Sequence, residues 1–203
     1  MSKVAILGAG GRLGTRLVAE ALAQQLRVNA LTRHPAKLHV ANEDVNVFQG
    51  NVETGEGLDA LIGCRWVVTS ISSTHPSECV SHLVKKLSGR PVERLLFVAR
   101  TDGTVPTHGL GSKFSSLMGG HSKREVSHDL ATALELLQVS GLPFSVLRTN
   151  GITDEPGGHP VLVDEVTRPP LGKISRIDLA RFIFKALEDP EWNLRDANVG
   201  SAR

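Results

Sequence analysis

The stretch VAILGAGGRLGTRL, residues Val4–Leu17, decides the fold of this chain. A short apolar run ends at a cluster of glycines, and an amphipathic pattern begins before the cluster is over. From Leu13 to Leu22, apolar residues recur at spacings of three and four, which is typical of one face of an α-helix. The stretch therefore predicts a buried strand, a tight glycine turn and a helix that begins inside that turn.

Composition and charge narrow the class of protein. A chain of 203 residues with 40% hydrophobic residues can fill one sizeable core. Its 23 basic and 21 acidic residues are scattered, which argues against generic nucleic-acid binding. No apolar stretch approaches the roughly 18 residues that span a bilayer, no signal peptide is recognisable, and Cys64 and Cys79 form no CxxC pair. We therefore expect a cytoplasmic protein with a small-molecule partner, no membrane association and no nucleic-acid partner, and leave the oligomeric state open.

Short β-rich runs alternate with segments of helical period along the whole chain. The predicted strands are Val4–Leu7, Arg27–Thr32, Val45–Phe48, Trp66–Ser70, Arg94–Val98 and Phe144–Arg148. The predicted helices are Leu13–Gln25, Gly57–Ile62, Glu78–Leu87, Lys123–Val139 and a last helix that runs from the capping-box-like Ser175–Asp178 to about Leu187. Continuous apolar strands separated by helices predict a doubly wound parallel α/β sheet, in a single domain over residues 1–203.

Two long segments, Arg100–Ser122 and Gly151–Gly172, show no clear period. Loops of this length in a compact domain are usually lids, binding loops or disordered segments. Both follow predicted strands, and ligands of open α/β sheets bind at the carboxyl ends of the strands. We therefore expect two long loops at the carboxyl edge of the sheet.

The glycine cluster does not fit GxGxxG, because Leu13 stands where the third glycine would be. It fits GxxGxxG with Gly8, Gly11 and Gly14, which would allow a sharp turn, a close approach to a pyrophosphate and tight helix packing. The N–H groups and the positive end of the helix dipole favour phosphate at such a turn. A tight turn without a ligand is the alternative, but the position between a strand and a helix favours a dinucleotide.

The residues at the end of the second predicted strand indicate which dinucleotide the glycine turn would bind. An NAD site carries Asp or Glu about 20 residues past the glycine loop, whereas the stretch LTRH, residues 31–34, contains no acid. Arg33 offers a planar cation to a 2′-phosphate, and Arg12 in the glycine loop could reach the same group. Arg33 could also be an ordinary surface charge. The sequence favours NADP(H) over NAD(H).

Six further segments occur in a family-specific order. They are ILGAGGRLG from Ile6, ALTRHPAKL from Ala30, VFQGNV from Val47, ALIGCRWVVTSIS from Ala60, SGLPFSVLRTNGITDEPG from Ser140 and KISRIDLARFI from Lys173. Together they resemble the atypical short-chain dehydrogenase/reductase group with an NAD(P)H-binding domain, which includes flavin or biliverdin reductases and nitrogen-metabolite-repressor-like redox sensors. The resemblance covers nearly the whole chain and implies a Rossmann fold.

The glycine motif, the cation after the second strand and the resemblance define one expected cofactor site. Within the resemblance, Asn51 and Val52 flank the adenine. Ser70, Ser72, Ser73 and Thr74 follow the fourth strand and could line the pyrophosphate or the nicotinamide ribose, although the same composition is typical of an ordinary turn before a helix. The expected cofactor-binding residues are Gly8, Gly10, Gly11, Arg12, Leu13, Gly14, Arg33, Asn51, Val52, Ser70, Ile71 and Ser72.

The chain departs from standard relatives at the catalytic pair. Their Tyr-x-x-x-Lys motif would fall at Val126 and Leu130, and this chain contains no tyrosine at all. The acid that serves the substrate oxygen in those enzymes is therefore absent. Thr101 and Asn150, which follow the fifth and sixth strands, are the candidate catalytic residues, expected to hold the substrate or the nicotinamide amide by hydrogen bonds.

Other groups of reactive side chains are weaker candidates. His75, Cys79 and His82 would share one helix face, but no fourth ligand is evident, and we expect a covering helix without metal. Ser127–Asp129 names the residue types of a triad, yet neighbouring helix residues point in different directions. The loop histidines His108 and His121 are alternative proton donors, although a lone loop histidine is more often solvated.

Two functions stay open at this level. One is an NADPH-dependent reductase of a small conjugated acceptor, such as a flavin or a quinone, that takes its proton from water. The other is a non-catalytic regulator that binds NADP(H) and is then recognised by a partner protein.

Overall fold

The computed structural model describes residues 1–70, 75–100, 121–167 and 171–201, without the side chains of residues 121–127. Within these ranges the strands of the main sheet are β1 (Lys3–Leu7), β2 (Arg27–Thr32), β3 (Val45–Gln49), β4 (Trp66–Thr69), β5 (Arg94–Arg100), β6 (Phe144–Thr149), β8 (Val161–Glu165) and β10 (Arg195–Ser201). A separate two-stranded ladder joins β7 (Ile152–Thr153) to β9 (Ile174–Ser175). The helices are α1 (Arg12–Ala23), α2 (Pro76–Leu87), α3 (His121–Val139) and α4 (Arg176–Glu188).

The main sheet has the order β3-β2-β1-β4-β5-β6-β10-β8, and every pairing except that of β10 with β8 is parallel. The chain winds outwards from β1 in both directions, through β2 on one side and through β4 on the other. The carboxyl end of β1 is therefore the switch point, where open α/β sheets bind their ligands. The predicted doubly wound sheet is confirmed, with all six predicted strands in place.

The two helical layers explain why the central strands are mostly apolar. Alternate side chains of a strand point to opposite faces. Val4 and Ile6 pack into the cluster with α1 and α4, and Ala5 and Leu7 pack into the cluster with α2 and α3. Because both faces are covered, an apolar side chain is buried at every position from Val4 to Leu7 of β1.

The loop predicted over Gly151–Gly172 is wrong in part. It contains β7 and β8, and β8 runs antiparallel to β10 at the edge of the sheet. Both β8 and β10 were missed because their pairing partners are distant in sequence, and because the half-exposed β8 has only the short apolar run Val161–Val163. For the other predicted loop, β5 extends to Arg100 and α3 begins at His121. Residues 101–120 lie outside the described residues.

The short helix predicted over Gly57–Ile62 is a single 3₁₀ turn, Leu58–Leu61. It begins at Gly57 and is followed by Gly63, and both glycines have positive φ values, 72° and 70°, that end regular helix on either side. The predicted start of the last helix is correct, because the Ser175 hydroxyl accepts the N–H of Asp178 at 3.1 Å. No helix in the described ranges is both long and apolar enough to cross a membrane.

A buried arginine joins the sheet to the end of α4. Arg94 opens β5, and its Nη1 donates to the carbonyl oxygens of Ala186 and Asp189, the latter at 2.7 Å. These carbonyls belong to the last turn of the helix, which leaves them without partners inside the helix. Burial lowers the pKa of the Arg94 guanidinium, yet an arginine in a protein keeps its charge.

Replacing Arg94 by Met should destabilise the fold, because it leaves the buried carbonyl oxygen of Ala186 without its donor. We expect a loss of about 2–4 kcal/mol in the free energy of unfolding, measured by urea titration. Arg90→Met, at an exposed arginine just before the strand, should change it by less than about 0.5 kcal/mol. Equal losses in the two variants would contradict the assignment of Arg94 as the cap of α4.

Candidate functional site

The glycine turn is built against the end of β2. Gly8 has a φ of 81°, in the left-handed region that favours glycine. The N–H groups of Gly8 and Ala9 both donate to the carbonyl oxygen of Leu31, at 2.9 and 3.0 Å. The turn is closed by the N–H of Gly11, which donates to the carbonyl oxygen of Gly8 at 2.9 Å. The turn is therefore held by backbone hydrogen bonds, and no side chain has to enter it.

Helix α1 begins directly at this turn, with Gly11 as its N-cap. A Cβ on Gly14 would lie 2.7 Å from the Cα of Ala9, so only glycine lets the helix pack this closely on the turn. No side chain caps the helix, and its first turn carries no acidic residue. The N–H groups at this end are thus available to an anion, and the helix dipole favours one there.

A cavity of about 440 Å³ opens above the carboxyl ends of β1, β2 and β4. Its volume falls within the range of about 300–1,000 Å³ that is usual for small-molecule sites. Nine of the predicted cofactor residues line it: Gly8, Gly10, Gly11, Arg12, Leu13, Arg33, Asn51, Val52 and Ser70. Gly14 lies behind them as the packing residue, and Ile71 and Ser72 lie outside the described residues.

The described lining of this cavity is strongly cationic. It includes the side chains of Arg12, Arg33, Lys37, Arg100 and Arg176. The one carboxylate among the lining residues is Glu53. Because a concave surface concentrates the field of its charges, this cavity attracts an anionic ligand.

Hydrogen bonds fix the walls of the cavity. The Ser70 hydroxyl donates to the carbonyl oxygen of Leu7 at 3.0 Å, which ties the end of β4 to the glycine turn. The side-chain oxygen of Asn51 accepts the N–H of Glu53 at 3.1 Å and thereby folds the turn after β3. Both predicted residues thus shape the cavity through bonds to the protein backbone.

A second segment closes the cavity from the side of β6. Ile152 in β7 lines the cavity, and Asp154 follows that strand. The carboxylate of Asp154 forms an ion pair with Arg176, at the start of α4. The same carboxylate lies 3.4 Å from Nη1 of Arg12 in the glycine turn. Sequence reasoning missed Asp154, Arg176 and Lys37 as site residues, although all three lie inside the segments that carry the family resemblance.

The candidate catalytic residues lie elsewhere or outside the described residues. Asn150 lines a separate cavity of about 460 Å³, together with Glu155, His159 and Lys173. Thr101 lies outside the described residues, as does His108. The structure therefore does not bring Asn150 into the cationic cavity, and the roles of Asn150 and Thr101 stay predictions.

The helix that would carry a catalytic tyrosine packs into the core instead. Leu130 is buried in the cluster beneath α2 and α3. Asp129 accepts the N–H of Ser77 at 2.9 Å and also the Ser77 hydroxyl, so it caps the start of α2. Asp129 therefore has a structural partner on α2.

The histidine and cysteine face of α2 is also engaged in the structure. The Nδ1 of His82 lies 3.1 Å from the carbonyl oxygen of Val52, and Cys79 is buried in the core. Among the described residues, no group of three or more His, Cys, Asp or Glu side chains could hold a metal ion.

Asp178 anchors the segment that follows β7. Its carboxylate accepts the N–H of Gly158 at 2.7 Å, the N–H of His159 at 3.3 Å and the Ser175 hydroxyl at 2.8 Å. Burial by itself would raise the pKa of this carboxyl, whereas the hydrogen bonds lower it. The hydrogen bonds prevail, and the pKa of Asp178 lies below its ordinary value.

The lowered pKa makes the contribution of Asp178 to stability depend on pH. A group whose pKa is depressed in the folded state stabilises the fold above its unfolded pKa, about 3.9, and loses this contribution as the pH falls through the folded value. Asp178→Asn should therefore cost about 1–3 kcal/mol at pH 7, by urea titration, and progressively less below about pH 4. Glu135→Gln, at an exposed carboxylate on α3, is the control. If the loss of stability in Asp178→Asn does not become smaller in acid, the hydrogen bonds to the ionised Asp178 carboxylate are not its cause.

Fold and site together define a class, the Rossmann-fold proteins that bind a nucleotide at the switch point of a parallel sheet. The sequence profile of the family described as NAD(P)H-binding matches residues 8–190, and the chain belongs to this family. An uncharacterised chloroplastic protein of Arabidopsis thaliana is 24% identical over an alignment of 225 positions, gaps included, which covers 98% of this chain and 69% of that protein.

Solved structures with the same fold are numerous. A Rossmann-fold NAD(P)-binding family protein from Shigella flexneri has a TM-score of 0.80 and 22% identity, over 99% of this chain and 94% of that one. A short-chain dehydrogenase/reductase of Veillonella parvula, solved in complex with NADP, has a TM-score of 0.78 and 19% identity, over 98% and 94%. A Streptococcus pneumoniae protein proposed to be an NADH-flavin reductase has a TM-score of 0.78 and 16% identity, over the full length of both chains.

Proposed function

We propose that this protein is an NADPH-dependent reductase of a small conjugated acceptor, such as a flavin or a quinone. The observation that carries the proposal is the cationic cavity at the glycine turn, with Arg33 at the end of β2. The donor set fits a dinucleotide: backbone N–H groups for the pyrophosphate, and guanidinium groups for the phosphates around it.

Arg33 would select NADPH over NADH. It follows β2 directly, lines the cavity and is exposed. The hydroxyl of Thr32 accepts the N–H of His34 at 3.2 Å and so fixes the backbone on either side of Arg33. Lys37, on the 3₁₀ turn Pro35–Lys37, adds a second cation to the same wall. Because no carboxylate stands at residues 31–34, this wall suits a 2′-phosphate better than a pair of ribose hydroxyls.

The pyrophosphate would lie over the N-terminus of α1. Gly10, Gly11 and Leu13 present backbone to the cavity there, and Arg12 adds a charge. The two ends of the proposed site thus have different tasks: α1 holds the part shared by NADPH and NADH, and Arg33 holds the part that distinguishes them.

The missing acid limits the acceptor. When bound, NADPH supplies a hydride, and the protein supplies orientation. The two positions that would carry the Tyr–Lys pair are Val126 and Leu130, and neither side chain can transfer a proton. Conjugated acceptors, which take a proton from water, need no such group. Simple ketones and aldehydes need an acid to protonate the developing alkoxide.

The comparisons support this assignment in outline. The Veillonella parvula protein was solved with NADP, and the Streptococcus pneumoniae protein is proposed to reduce flavin. The nearly balanced charge of the chain, 23 basic and 21 acidic residues, supports a small-molecule partner rather than nucleic acid.

Titration of both cofactors tests the role of Arg33. Wild-type protein should bind NADPH about tenfold to hundredfold more tightly than NADH, since a charge-assisted contact contributes about 1.5–3 kcal/mol. Arg33→Gln should remove most of this preference and leave NADH binding nearly unchanged. Arg16→Gln, at an exposed arginine of α1 outside the cavity lining, should behave like wild type. Equal affinity of the wild type for both cofactors would make Arg33 an ordinary surface charge.

Steady-state oxidation of NADPH tests the chemistry. Flavins and quinones should be reduced far faster than ketones and aldehydes. Thr101→Val should lower kcat/KM by about fivefold, the effect of losing one hydrogen bond worth about 1 kcal/mol. Asn150→Ala tests whether the acceptor also contacts the separate cavity: a fivefold loss would place it there, and wild-type activity would remove Asn150 from the candidate catalytic residues.

Two outcomes of this assay would redirect the assignment. Fast ketone reduction with a steep pH profile, abolished by replacing His108, His121 or His128, would show that a histidine serves as the acid. Tight NADPH binding without oxidation by any acceptor would favour the non-catalytic regulator.

A further inference from the structure

Asp154 holds two of the arginines that line the dinucleotide cavity. Its carboxylate pairs with Arg176, whose side chain is only 10% exposed, and lies 3.4 Å from Nη1 of Arg12, whose side chain is 79% exposed. Both arginines line the cavity. A carboxylate that belongs to the protein thus occupies guanidinium groups at the place proposed for a phosphate.

The fold itself brings Asp154 to this position. β7 and β9 form a parallel ladder in which Thr153 lies opposite Ser175. Asp154 directly follows β7, and Arg176 directly follows β9 as the first residue of α4, so the ladder brings the two side chains close together. Arg176 also donates to the carbonyl oxygen of Ile152, at 3.4 Å. The ion pair therefore follows from strand register.

Carboxylates and phosphates use the same donors of a guanidinium group. A pyrophosphate over the N-terminus of α1 would approach Arg12, the residue that begins this helix. It would meet Asp154 there as a competitor for the guanidinium group and as a like charge. The Asp154 side chain is 68% exposed, so its two contacts differ only through the arginines. The exposed Arg12 gains little from the pair, whereas the buried charge of Arg176 needs its partner.

We propose that Asp154 is a built-in competitor that sets the affinity of the cavity for the pyrophosphate group. The inference rests on the proposed function, which places the pyrophosphate at the start of α1. On binding, Arg12 exchanges Asp154 for the phosphate, and Asp154 stays on Arg176. The negative charge that remains beside the pyrophosphate weakens the binding of NADPH and NADH by the same factor. The preference for NADPH over NADH then depends on Arg33 and not on Asp154.

Ligands that carry only one end of the dinucleotide test this division. Adenosine 5′-diphosphate contains the pyrophosphate, and adenosine 2′-monophosphate contains only the 2′-phosphate. Asp154→Asn should bind adenosine 5′-diphosphate, NADPH and NADH each about threefold to tenfold more tightly than wild type. It should bind adenosine 2′-monophosphate with unchanged affinity. Isothermal titration calorimetry on the full chain measures all four ligands.

Three further variants control the experiment. Asp154→Ser, a second neutral replacement, should show the same gain in affinity even if Asp154→Asn folds poorly. Asp154→Glu keeps the charge and should stay near the wild-type affinity. Glu155→Gln removes the same charge one residue further along, at the wall of the other cavity, and should also stay near it.

The proposal and the proposed function fail in different ways. Absence of NADPH and NADH binding in the wild type would overturn the proposed function, and the competitor with it. Normal binding by the wild type without a gain in Asp154→Asn and Asp154→Ser, or with a loss, would overturn the competitor alone and make Asp154 a structural tie. A gain for NADPH that exceeds the gain for NADH would place Asp154 at the 2′-phosphate and would equally overturn it.

Discussion

The close packing of α1 on the glycine turn is the constraint on which the rest of the site depends. Only four residues separate β1 from α1, because Gly8 adopts a positive φ and Gly14 has no Cβ to separate the helix from Ala9. This packing fixes where the start of α1 lies. The uncapped end of α1 lies at the switch point of the sheet, between the ends of β2 and β4. A bulkier residue at Gly14 would move the helix away and with it the anion-binding end.

The charge of the cavity comes from several elements. Arg33 and Arg100 lie at or just after the ends of parallel strands, Arg12 begins α1 and Arg176 begins α4. In a parallel sheet all carboxyl ends meet at one edge, and helices that return behind the sheet begin at that same edge. Residues far apart in sequence are thereby gathered into one cationic surface. Asp154 enters this surface from β7 and offsets part of its charge.

On the other face of the sheet, side chains of α2 and α3 pack against each other and form hydrogen bonds. Leu130 fills the core, and Asp129 caps the start of α2 through Ser77. Within the described part of α3, Leu130 and Asp129 therefore have structural partners, whereas the cationic cavity lies at the carboxyl edge of the sheet. This separation of the cavity from α3 is compatible with the proposed reaction, in which the protein orients the reactants and water supplies the proton.

Local sequence determined most of the fold. β1, β2, β4, β5 and β6 were predictable because a strand covered on both faces is mostly apolar, and Gly8 and Gly14 indicate a tight turn that packs against a helix. The half-exposed β3 was predictable from its β-rich residues. The positions of Arg12 and Arg33 relative to the turn and to β2 are defined along the chain, and both residues line the cationic cavity. In the same way, Ser175 and Asp178 predicted where the last helix begins.

Tertiary structure decided the remainder. β8 and β10 have weak apolar patterns and become strands only because distant partners supply their hydrogen bonds. Asp154 and Arg176 meet through the register of β7 and β9, and Asn150 and Ile152 lie beside different cavities although one residue separates them. Periodicity and turn chemistry act over a few neighbouring residues, so the sequence by itself determined the elements and the glycine turn. Ion pairs and edge-strand pairing depend on distances across the folded chain, which only the tertiary structure decided.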